Sequence, residues 1–338
     1  MKRICLAVFF LLCGAGLAWG GATIETTFKS GGVKGMGAAE GTTVRRYLGE
    51  KMWESTTSKF TGAILSRVAG GSESVTITRI DKSVYWSLDP KKKIYSERPI
   101  EPFDKKDFTK EQGDKEKPTV RITKSEFTVK KTGATETING FPCEEYLLTW
   151  FMELENMETK EKSQSTMVTN LWTTPETATI RKVQQEEMAF HTALAKKVGL
   201  NVSPEEAKQF GMGAFAGLTG APPEEVEKGL VRMKNEMAKV KGFTIRSVVN
   251  WSWEGDKAKA AQKETGGSAE TASGPKEEVG KLISGFMGKL TQKKGEEKSS
   301  PGGEKGAPFF SNTMEVKALS TEGIAADVFE IPAGYEKK

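Results

Sequence analysis

Hydrophobic and polar residues alternate with a period of two along several stretches of this chain. In the clearest stretch, every second residue from position 146 to position 154 is large and apolar. Successive side chains of a β-strand point to opposite sides of a sheet, so this alternation predicts an antiparallel strand with one buried and one solvent-facing side. The predicted buried side consists of Tyr146, Leu148, Trp150, Met152 and Leu154.

A second alternating stretch covers positions 243–253, and shorter runs rich in β-branched and aromatic residues predict further strands. In the second stretch the apolar side is predicted to carry Phe243, Ile245, Val249, Trp251 and Trp253, opposite Arg246, Asn250 and Ser252. The shorter runs are 23–28, 75–80, 84–88, 94–95, 167–172 and 312–318.

The period changes to that of an α-helix between Trp172 and Phe243, and this change predicts helices at 181–198, 203–218 and 223–240. The second and third predicted helices have proline followed by two glutamates in their first turn. Proline is tolerated there because its missing N–H has no partner in a helix, and the acidic residues face the positive end of the helix dipole. A helical insertion at 181–240 is therefore predicted between strands of the sheet.

The stretch 255–307 has a different composition from the rest of the chain. Gly, Ser, Ala, Thr, Lys and Glu dominate 255–275 and 292–307, and such a composition predicts a disordered linker because it cannot bury enough apolar surface. Between these two parts, 276–291 is predicted to form an amphipathic helix that docks on the domain or on a membrane surface. Its apolar stripe is Val279, Leu282, Ile283, Phe286, Met287 and Leu290.

The N-terminus has the pattern of a secretory signal. Lys2 and Arg3 precede the apolar run 4–12, and Ala18-Trp19-Gly20 supplies the small residues of a cleavage site. The run is too short to span a bilayer, which takes about 20 residues. We therefore predict that residues 1–22 are a cleaved signal peptide and that the mature chain works in a bacterial periplasm.

Charge and reactive residues narrow the function further. The formal charge is +5, from 50 basic and 45 acidic residues that are interspersed, so no concentrated basic face for nucleic acid is expected. His191 is the one histidine of the chain, and Cys143 is the one cysteine beyond the predicted signal. Catalytic triads and common zinc sites need histidine with matched partners. We therefore expect no catalytic residues, no metal and no cofactor, and a structural role for both side chains.

Three segments resemble a family of secreted bacterial proteins whose activity is not assigned and whose fold is similar to that of the outer-membrane lipoprotein carriers LolA and LolB. The segment 138–146, Ile-Asn-Gly-Phe-Pro-Cys-Glu-Glu-Tyr, is similar to a glycine, cysteine and tyrosine motif of that family. The segment 84–95 resembles its Trp-x-Leu-Asp-Pro hairpin, and 329–335 resembles its closing Phe-x-x-Pro-x-Gly-Tyr strand. The resemblance covers roughly residues 23–250 and 308–338 and implies a carrier-like fold.

Together the patterns and the resemblance predict an α+β fold, namely a strongly curved antiparallel sheet, or half-open barrel, covered by helices. The sheet domain is predicted at 23–254, the linker at 255–307, and strands that return to the domain at 308–338. Our leading hypothesis is a non-catalytic periplasmic module that binds a lipid, an acyl chain or a lipoprotein between sheet and helices. The predicted ligand-lining residues are Trp86, Trp150, Phe190, Phe215, Met233, Phe243, Ile245 and Trp251.

The alternative hypothesis is a structural or interaction protein of the cell envelope. In that case the apolar side of the sheet is ordinary core, and no small-molecule ligand exists. A cavity or an accessible apolar surface between sheet and helices distinguishes the two hypotheses, since a pure core is close-packed.

Overall fold

A computed structural model describes residues 20–33, 37–61, 71–102, 120–199, 223–254 and 308–338. The predicted signal peptide up to residue 19, the predicted helix at 203–218 with Phe215, and the predicted linker 255–307 with its helix lie outside these residues.

The described residues form one twelve-stranded sheet, two α-helices and a short 3₁₀ helix. In chain order the strands are β1 Ala22–Val33, β2 Ala39–Leu48, β3 Lys51–Phe60, β4 Ser72–Arg79, β5 Val84–Asp89, β6 Ile94–Pro99, β7 Val120–Ile138, β8 Phe141–Asn156, β9 Lys162–Thr174, β10 Phe243–Glu254, β11 Phe310–Ser320 and β12 Glu336–Lys337. The helices are α1 Ala178–Lys197 and α2 Pro223–Met237, and the 3₁₀ helix is Ala326–Phe329.

The spatial order of the strands is β12-β6-β5-β4-β3-β2-β1-β11-β10-β9-β8-β7. All neighbours are antiparallel except β12, which pairs in parallel with β6. In this part of the chain β12 and β7 are the two edges, so the sheet is open. The return of the C-terminal residues to β1 is what joins the two halves, because β11 pairs with β1 on one side and with β10 on the other.

The predicted α+β half-open barrel covered by helices is wrong. Of the described residues, 60% lie in strands and 16% in helices, and the twelve strands do not close into a barrel. Eleven strand spacings make the sheet about 50 Å wide, whereas the two described α-helices lie mainly against β1, β2, β11 and β7. Period-two alternation correctly predicts β8 and β10, but β2, β3, β7 and β12 were not predicted, and the alternation carries no information on whether the sheet edges meet.

Both helices lie on the same face of the sheet, here called the helix face. Helix α1 begins after Thr177, whose hydroxyl accepts a hydrogen bond from the Ile180 N–H (3.2 Å), and crosses β1, β2 and β11. Its buried residues Val183 and Phe190 pack on Tyr47 of β2. The other members of this cluster are Ala22, Ile24, Ile80, Ile100 and Val198.

Helix α2 lies beside the edge strand β7. The Glu236 carboxylate near its end accepts a hydrogen bond from the Val129 N–H of β7 (2.8 Å). Val240, just beyond α2, packs on a cluster formed by Val129, Tyr146 and Leu148. An edge strand exposes unpaired backbone groups, and here a carboxylate pairs with one of them.

The opposite face of the sheet carries the C-terminal segment. Phe329 of the 3₁₀ helix is fully buried, and it packs with Ile77, Trp86 and Leu88 over strands β4 and β5. The backbone of this segment is held by Arg79, whose guanidinium donates a hydrogen bond to the Phe329 carbonyl (3.1 Å) and pairs with Asp81 and Glu330.

Candidate functional site

Five apolar residues form a continuous row across five neighbouring strands on the helix face. Trp251 of β10 is the register partner of both Phe310 and Met167, and Trp150 of β8 is the partner of both Met167 and Phe127. We call these five residues the aromatic row: Phe310, Trp251, Met167, Trp150 and Phe127. With four strand spacings of about 4.8 Å, the aromatic row is about 19 Å long.

The row lies on the helix face because the registers connect it to the residues under α1. Phe310 and Met314 of β11 share a side, Met314 pairs with Phe28, and Phe28 shares a side of β1 with Ala22. Ala22 is buried in the cluster beneath α1. The row crosses β11 near Val33, at the other end of β1 from Ala22. Helix α1 therefore covers a different part of this face.

The polar atoms of both tryptophans of the row are paired within the sheet. The Trp150 Nε1–H donates to Ser125 Oγ (3.0 Å), and the Trp251 Nε1–H donates to Ser165 Oγ (2.6 Å). Both serines are register partners of Met152 in the next row along the strands. Because the indole N–H groups already donate hydrogen bonds to serines of the sheet, a partner would contact mainly the hydrocarbon surface of the row.

The aromatic row widens into an aromatic cluster where β10 meets β11. The Trp251 ring lies 6.5 Å from the Trp253 ring and 6.0 Å, edge to face, from the Phe309 ring. All five members of the row are half-buried. Trp253 is 39% exposed and Met314, two rows from Phe310, is 47% exposed, so apolar surface on this face remains accessible.

Charged residues are sorted between the two sides over most of these strands; the exception is Glu144 near the start of β8, which lies on the helix face and pairs with Lys131 of β7 (2.7 Å). Within 145–156, 162–174, 246–254 and 310–315, the register places no charged side chain on the helix face. Burying an isolated charge against apolar matter is costly, so a side without charges fits an apolar partner. The charged residues on the opposite face are Glu145, Glu153, Glu155, Lys162, Arg246, Glu254 and Glu315.

The charges on the opposite face form an ion-pair network that ties strands together. Arg246 of β10 pairs with Glu315 of β11 (2.6 Å) and with Glu136 of β7 (3.0 Å). Burial raises the pKa of Glu315, but hydrogen bonds from Lys317, Asn139 and Arg246 outweigh burial and lower this pKa to about 2. This network stabilises the sheet on the opposite face, five residues along β10 from Trp251.

The structure brings together only some of the residues predicted to line a ligand site. Trp150 and Trp251 lie in the aromatic row, and Met233 is half-buried on α2. Phe215 lies outside the described residues. The others are divided among three separate core clusters.

Phe190 is fully buried in the cluster under α1, and Phe243 and Ile245 belong to the cluster of Cys143. Trp86 lies on the opposite face, where its Nε1–H donates to Glu97 (2.8 Å). A register shift between Thr244 and Arg246 interrupts the alternation of β10, which separates Phe243 and Ile245 from the run that ends in Trp251.

Phe127, Met167 and Phe310 were not among the predicted lining residues. Met167 and its neighbours were predicted as a short strand, which β9 confirms, but a single methionine does not mark a surface. The only signal that singles out these three residues is their register with Trp150 and Trp251. Register is a property of strand pairing and cannot be taken from one strand alone.

Cys143 is 2% exposed and packs with Ile138, Ile245 and Val316. Its thiol donates a hydrogen bond to the Phe141 carbonyl (3.3 Å), and burial raises its pKa. Thiolate formation, which thiol chemistry requires, is therefore disfavoured.

The adjacent turn explains part of the Asn-Gly motif, since Asn139 (φ 50°) and Gly140 (φ 85°) have the positive φ angles of a type I′ hairpin turn.

His191 lies exposed on α1, with its ring edge to face against Tyr47 (6.1 Å) and Phe190 (5.4 Å).

In the part of the chain that the structure covers, no three His, Cys, Asp or Glu side chains are grouped as metal ligands would be. Neither of the two described α-helices has the length and apolar character needed to cross a membrane.

Comparison of the chain with protein-family models gives no match, and comparison with curated proteins gives none either.

Proposed function

We propose that this protein is a non-catalytic periplasmic module that binds an apolar ligand, a lipid or an acyl chain, along the aromatic row. The observation that carries the proposal is the sorting of charge around the aromatic row. Within 145–156, 162–174, 246–254 and 310–315 the helix face carries no charged side chain, while the opposite face carries the ion pairs of Arg246 with Glu315 and Glu136.

The geometry of the row favours an extended apolar ligand over a compact one. The row is about 19 Å long and one residue wide, and it follows the direction of the backbone hydrogen bonds rather than that of the strands. The indole N–H groups are paired with Ser125 and Ser165, so specificity for a polar head has to come from elsewhere. Affinity is then expected to come mainly from buried hydrocarbon.

The periplasmic part of the proposal comes from the N-terminal pattern Lys2-Arg3, 4–12 and Ala18-Trp19-Gly20. The choice of a lipid as ligand agrees with what the resemblance to lipoprotein carriers implies. The absence of catalysis is proposed because Cys143 is buried with a raised pKa, which leaves it a poor nucleophile.

A series of fatty acids with increasing chain length tests the proposal on the mature protein. Each methylene group that is buried contributes about 0.8 kcal/mol, so the dissociation constant is expected to fall about threefold to fourfold per added carbon. The fall should stop when the chain becomes longer than the row. Isothermal titration calorimetry measures the constants, and native mass spectrometry after mild purification shows any lipid that the protein already carries.

A matched pair of variants connects binding to the helix face. Met167→Lys places a charge in the aromatic row, whereas Val168→Lys places the same charge on the next residue of β9, facing the opposite side. Both positions are half-buried, so both variants bear a similar cost of desolvation. We expect Met167→Lys to weaken fatty-acid binding by about 30-fold or more, a loss of about 2 kcal/mol, and Val168→Lys to leave it within about twofold.

Affinity that does not change with chain length contradicts the proposal, and so do two variants that bind equally well. Complete absence of binding to every chain length, together with a native mass spectrum without lipid, favours the alternative class, a structural or interaction protein of the envelope.

A further inference from the structure

The tip of the β7–β8 hairpin is fastened to β11 by the side-chain amide of Asn139. Strands β9 and β10 lie between β8 and β11 in the sheet, so the tip bends back past both of them. The amide nitrogen donates hydrogen bonds to Glu315 Oε1 (2.9 Å) and to the Val316 carbonyl (2.8 Å), and the amide oxygen accepts one from Lys317 Nζ (3.3 Å). Asn139 thus joins the tip to three successive residues of β11.

Asn139 is followed by Gly140, and this dipeptide can lose ammonia without an enzyme. The Gly140 backbone nitrogen attacks Cγ of Asn139, so a nitrogen–carbon bond forms and closes a five-membered imide. The bond from Cγ to Nδ2 breaks, and Nδ2 leaves as ammonia with the proton of the Gly140 N–H. Water then opens the imide to aspartate or isoaspartate, so the net reaction consumes water and releases ammonia. Glycine favours the attack because no Cβ hinders its nitrogen.

We propose that Asn139 is a deamidation site which the folded hairpin protects, and that its conversion to aspartate releases the tip from β11. Asn139 is exposed, so water reaches the imide once it has formed. The proposal goes beyond the proposed function, because the reaction requires water and no ligand.

The fold protects Asn139 by fixing both ends of its amide. Attack requires the side chain to rotate until Cγ faces the Gly140 nitrogen, and this rotation breaks the hydrogen bonds to β11. The backbone adds a second restraint, since the type I′ turn holds Asn139 at φ 50° and Gly140 at φ 85°. The reaction therefore proceeds from molecules in which the tip has opened locally.

The aspartate product cannot repeat the contacts of the amide. A carboxylate only accepts hydrogen bonds, whereas Glu315 Oε1 and the Val316 carbonyl each receive one from Asn139. Glu315 is ionised at neutral pH, because its pKa is about 2, so two carboxylates would meet. The neighbouring cations do not remove this conflict, since Lys317 (2.7 Å) and Arg246 (2.6 Å) already pair with Glu315.

Cys143 reports whether the tip is released. Its thiol is 2% exposed and packs with Ile138, the residue before Asn139, and with Val316, whose carbonyl the amide binds. Release of the tip from β11 therefore uncovers the thiol while the rest of the sheet stays folded.

The rate of deamidation in the wild-type mature chain tests the protection. Samples are kept folded or in urea at the same mildly alkaline pH, and mass spectrometry measures the deamidated fraction of the peptide that contains Asn139. Hydroxylamine, which cleaves the chain at the imide, confirms the position. We expect the folded protein to react at least about tenfold more slowly than the chain in urea. Equal rates overturn the protection by the fold.

A matched pair of variants tests the release. Asn139→Asp creates the aspartate directly, whereas Asn156→Asp makes the same change in the turn between β8 and β9. There the side-chain oxygen accepts from the N–H groups of Glu158 (2.8 Å) and Thr159 (3.0 Å), and a carboxylate can keep both bonds. We expect a thiol reagent to label Cys143 at least about tenfold faster in Asn139→Asp than in wild type, and within about twofold of wild type in Asn156→Asp.

Tryptophan fluorescence of the same variants measures global unfolding, and labelling in Asn139→Asp should be faster than global unfolding. Labelling at the wild-type rate overturns the release, and so does labelling that only follows global unfolding. Should Asn139→Asp not fold, Asn139→Gly removes the amide and suits the turn, and an unchanged labelling rate of Cys143 in that variant overturns the release. None of these measurements uses a fatty acid, so their outcome does not depend on the proposed function.

Discussion

Replacement of Phe329 by alanine tests how the C-terminal segment stabilises the sheet. Phe329 is fully buried at the centre of the cluster on the opposite face, where it packs with Ile77, Trp86 and Leu88, each less than a tenth exposed. The Phe329→Ala change therefore removes a whole aromatic side chain from a closed site.

The expected cost is about 4 kcal/mol of unfolding free energy. Phenylalanine-to-alanine changes in protein cores cost about 3–5 kcal/mol, and the value depends on how far the surroundings collapse into the cavity. Here collapse is restricted, because the guanidinium of Arg79 holds the Phe329 carbonyl (3.1 Å) and the neighbouring Glu330 carboxylate. The cavity thus stays open, and the cost lies in the middle or upper part of the range.

Urea denaturation followed by tryptophan fluorescence measures this cost, since Trp86 belongs to the cluster and Trp53 packs against it. Asp327→Ala, an exposed position in the same 3₁₀ helix, is the matched control and should change stability by no more than about 0.5 kcal/mol. A loss below about 1 kcal/mol for Phe329→Ala would refute the assignment of this residue to the core. Fatty-acid binding should not change in the native state, because the row lies on the other face.

Two further predictions follow from the ion-pair network and from the buried thiol. The pKa of Glu315 is about 2 in the folded protein against an ordinary value of 4.5, so its contribution to stability is complete above pH 4.5 and is lost as the pH falls towards 2. Between pH 4.5 and pH 2 the free energy of unfolding of the wild type should fall by about 1–2 kcal/mol more than that of Glu315→Gln, as measured by urea titrations at successive pH values. An equal fall in the two proteins would exclude this role of Glu315. Cys143, 2% exposed and with a raised pKa, should react with a thiol reagent only as fast as the protein unfolds; rapid labelling of the native protein would show that it is accessible.

Local elements of this protein could be predicted from the sequence with some success. The alternation at 146–154 is confirmed by β8, where Tyr146, Leu148, Trp150, Met152 and Leu154 occupy one side in unbroken register with β9. The predicted helices at 181–198 and 223–240 correspond to α1 and α2, with different ends. These predictions succeed because the period of a side-chain pattern follows directly from backbone geometry.

The prediction for β10 shows where a local pattern stops being sufficient. Apolar residues alternate with polar ones through Phe243, Ile245, Val249 and Trp251, yet a register shift at Thr244–Arg246 separates Phe243 and Ile245, in the Cys143 cluster, from Trp251 in the aromatic row. A bulge inserts one residue without a strong sequence signal, and the side that each residue faces changes with it.

The predicted ligand-lining residues show the same limit over longer distances. Trp86 and Trp150 are both large, apolar and in alternating strands, but they lie on opposite faces of the sheet. Which face each strand turns to the helices depends on the pairing of all the strands between them. No pattern within a single strand contains that information.

The sequence by itself determined eight of the twelve strands, the two described α-helices, and the scarcity of histidine and cysteine, because these depend on composition and on local backbone period. Only the tertiary structure decided that the sheet is open, that β11 joins its two halves, and that Phe310, Trp251, Met167, Trp150 and Phe127 form one row. The physical reason is that a strand satisfies its backbone hydrogen bonds with a neighbour that can come from anywhere in the chain. Residues that are 183 positions apart, such as Phe127 and Phe310, become part of one surface only through that pairing.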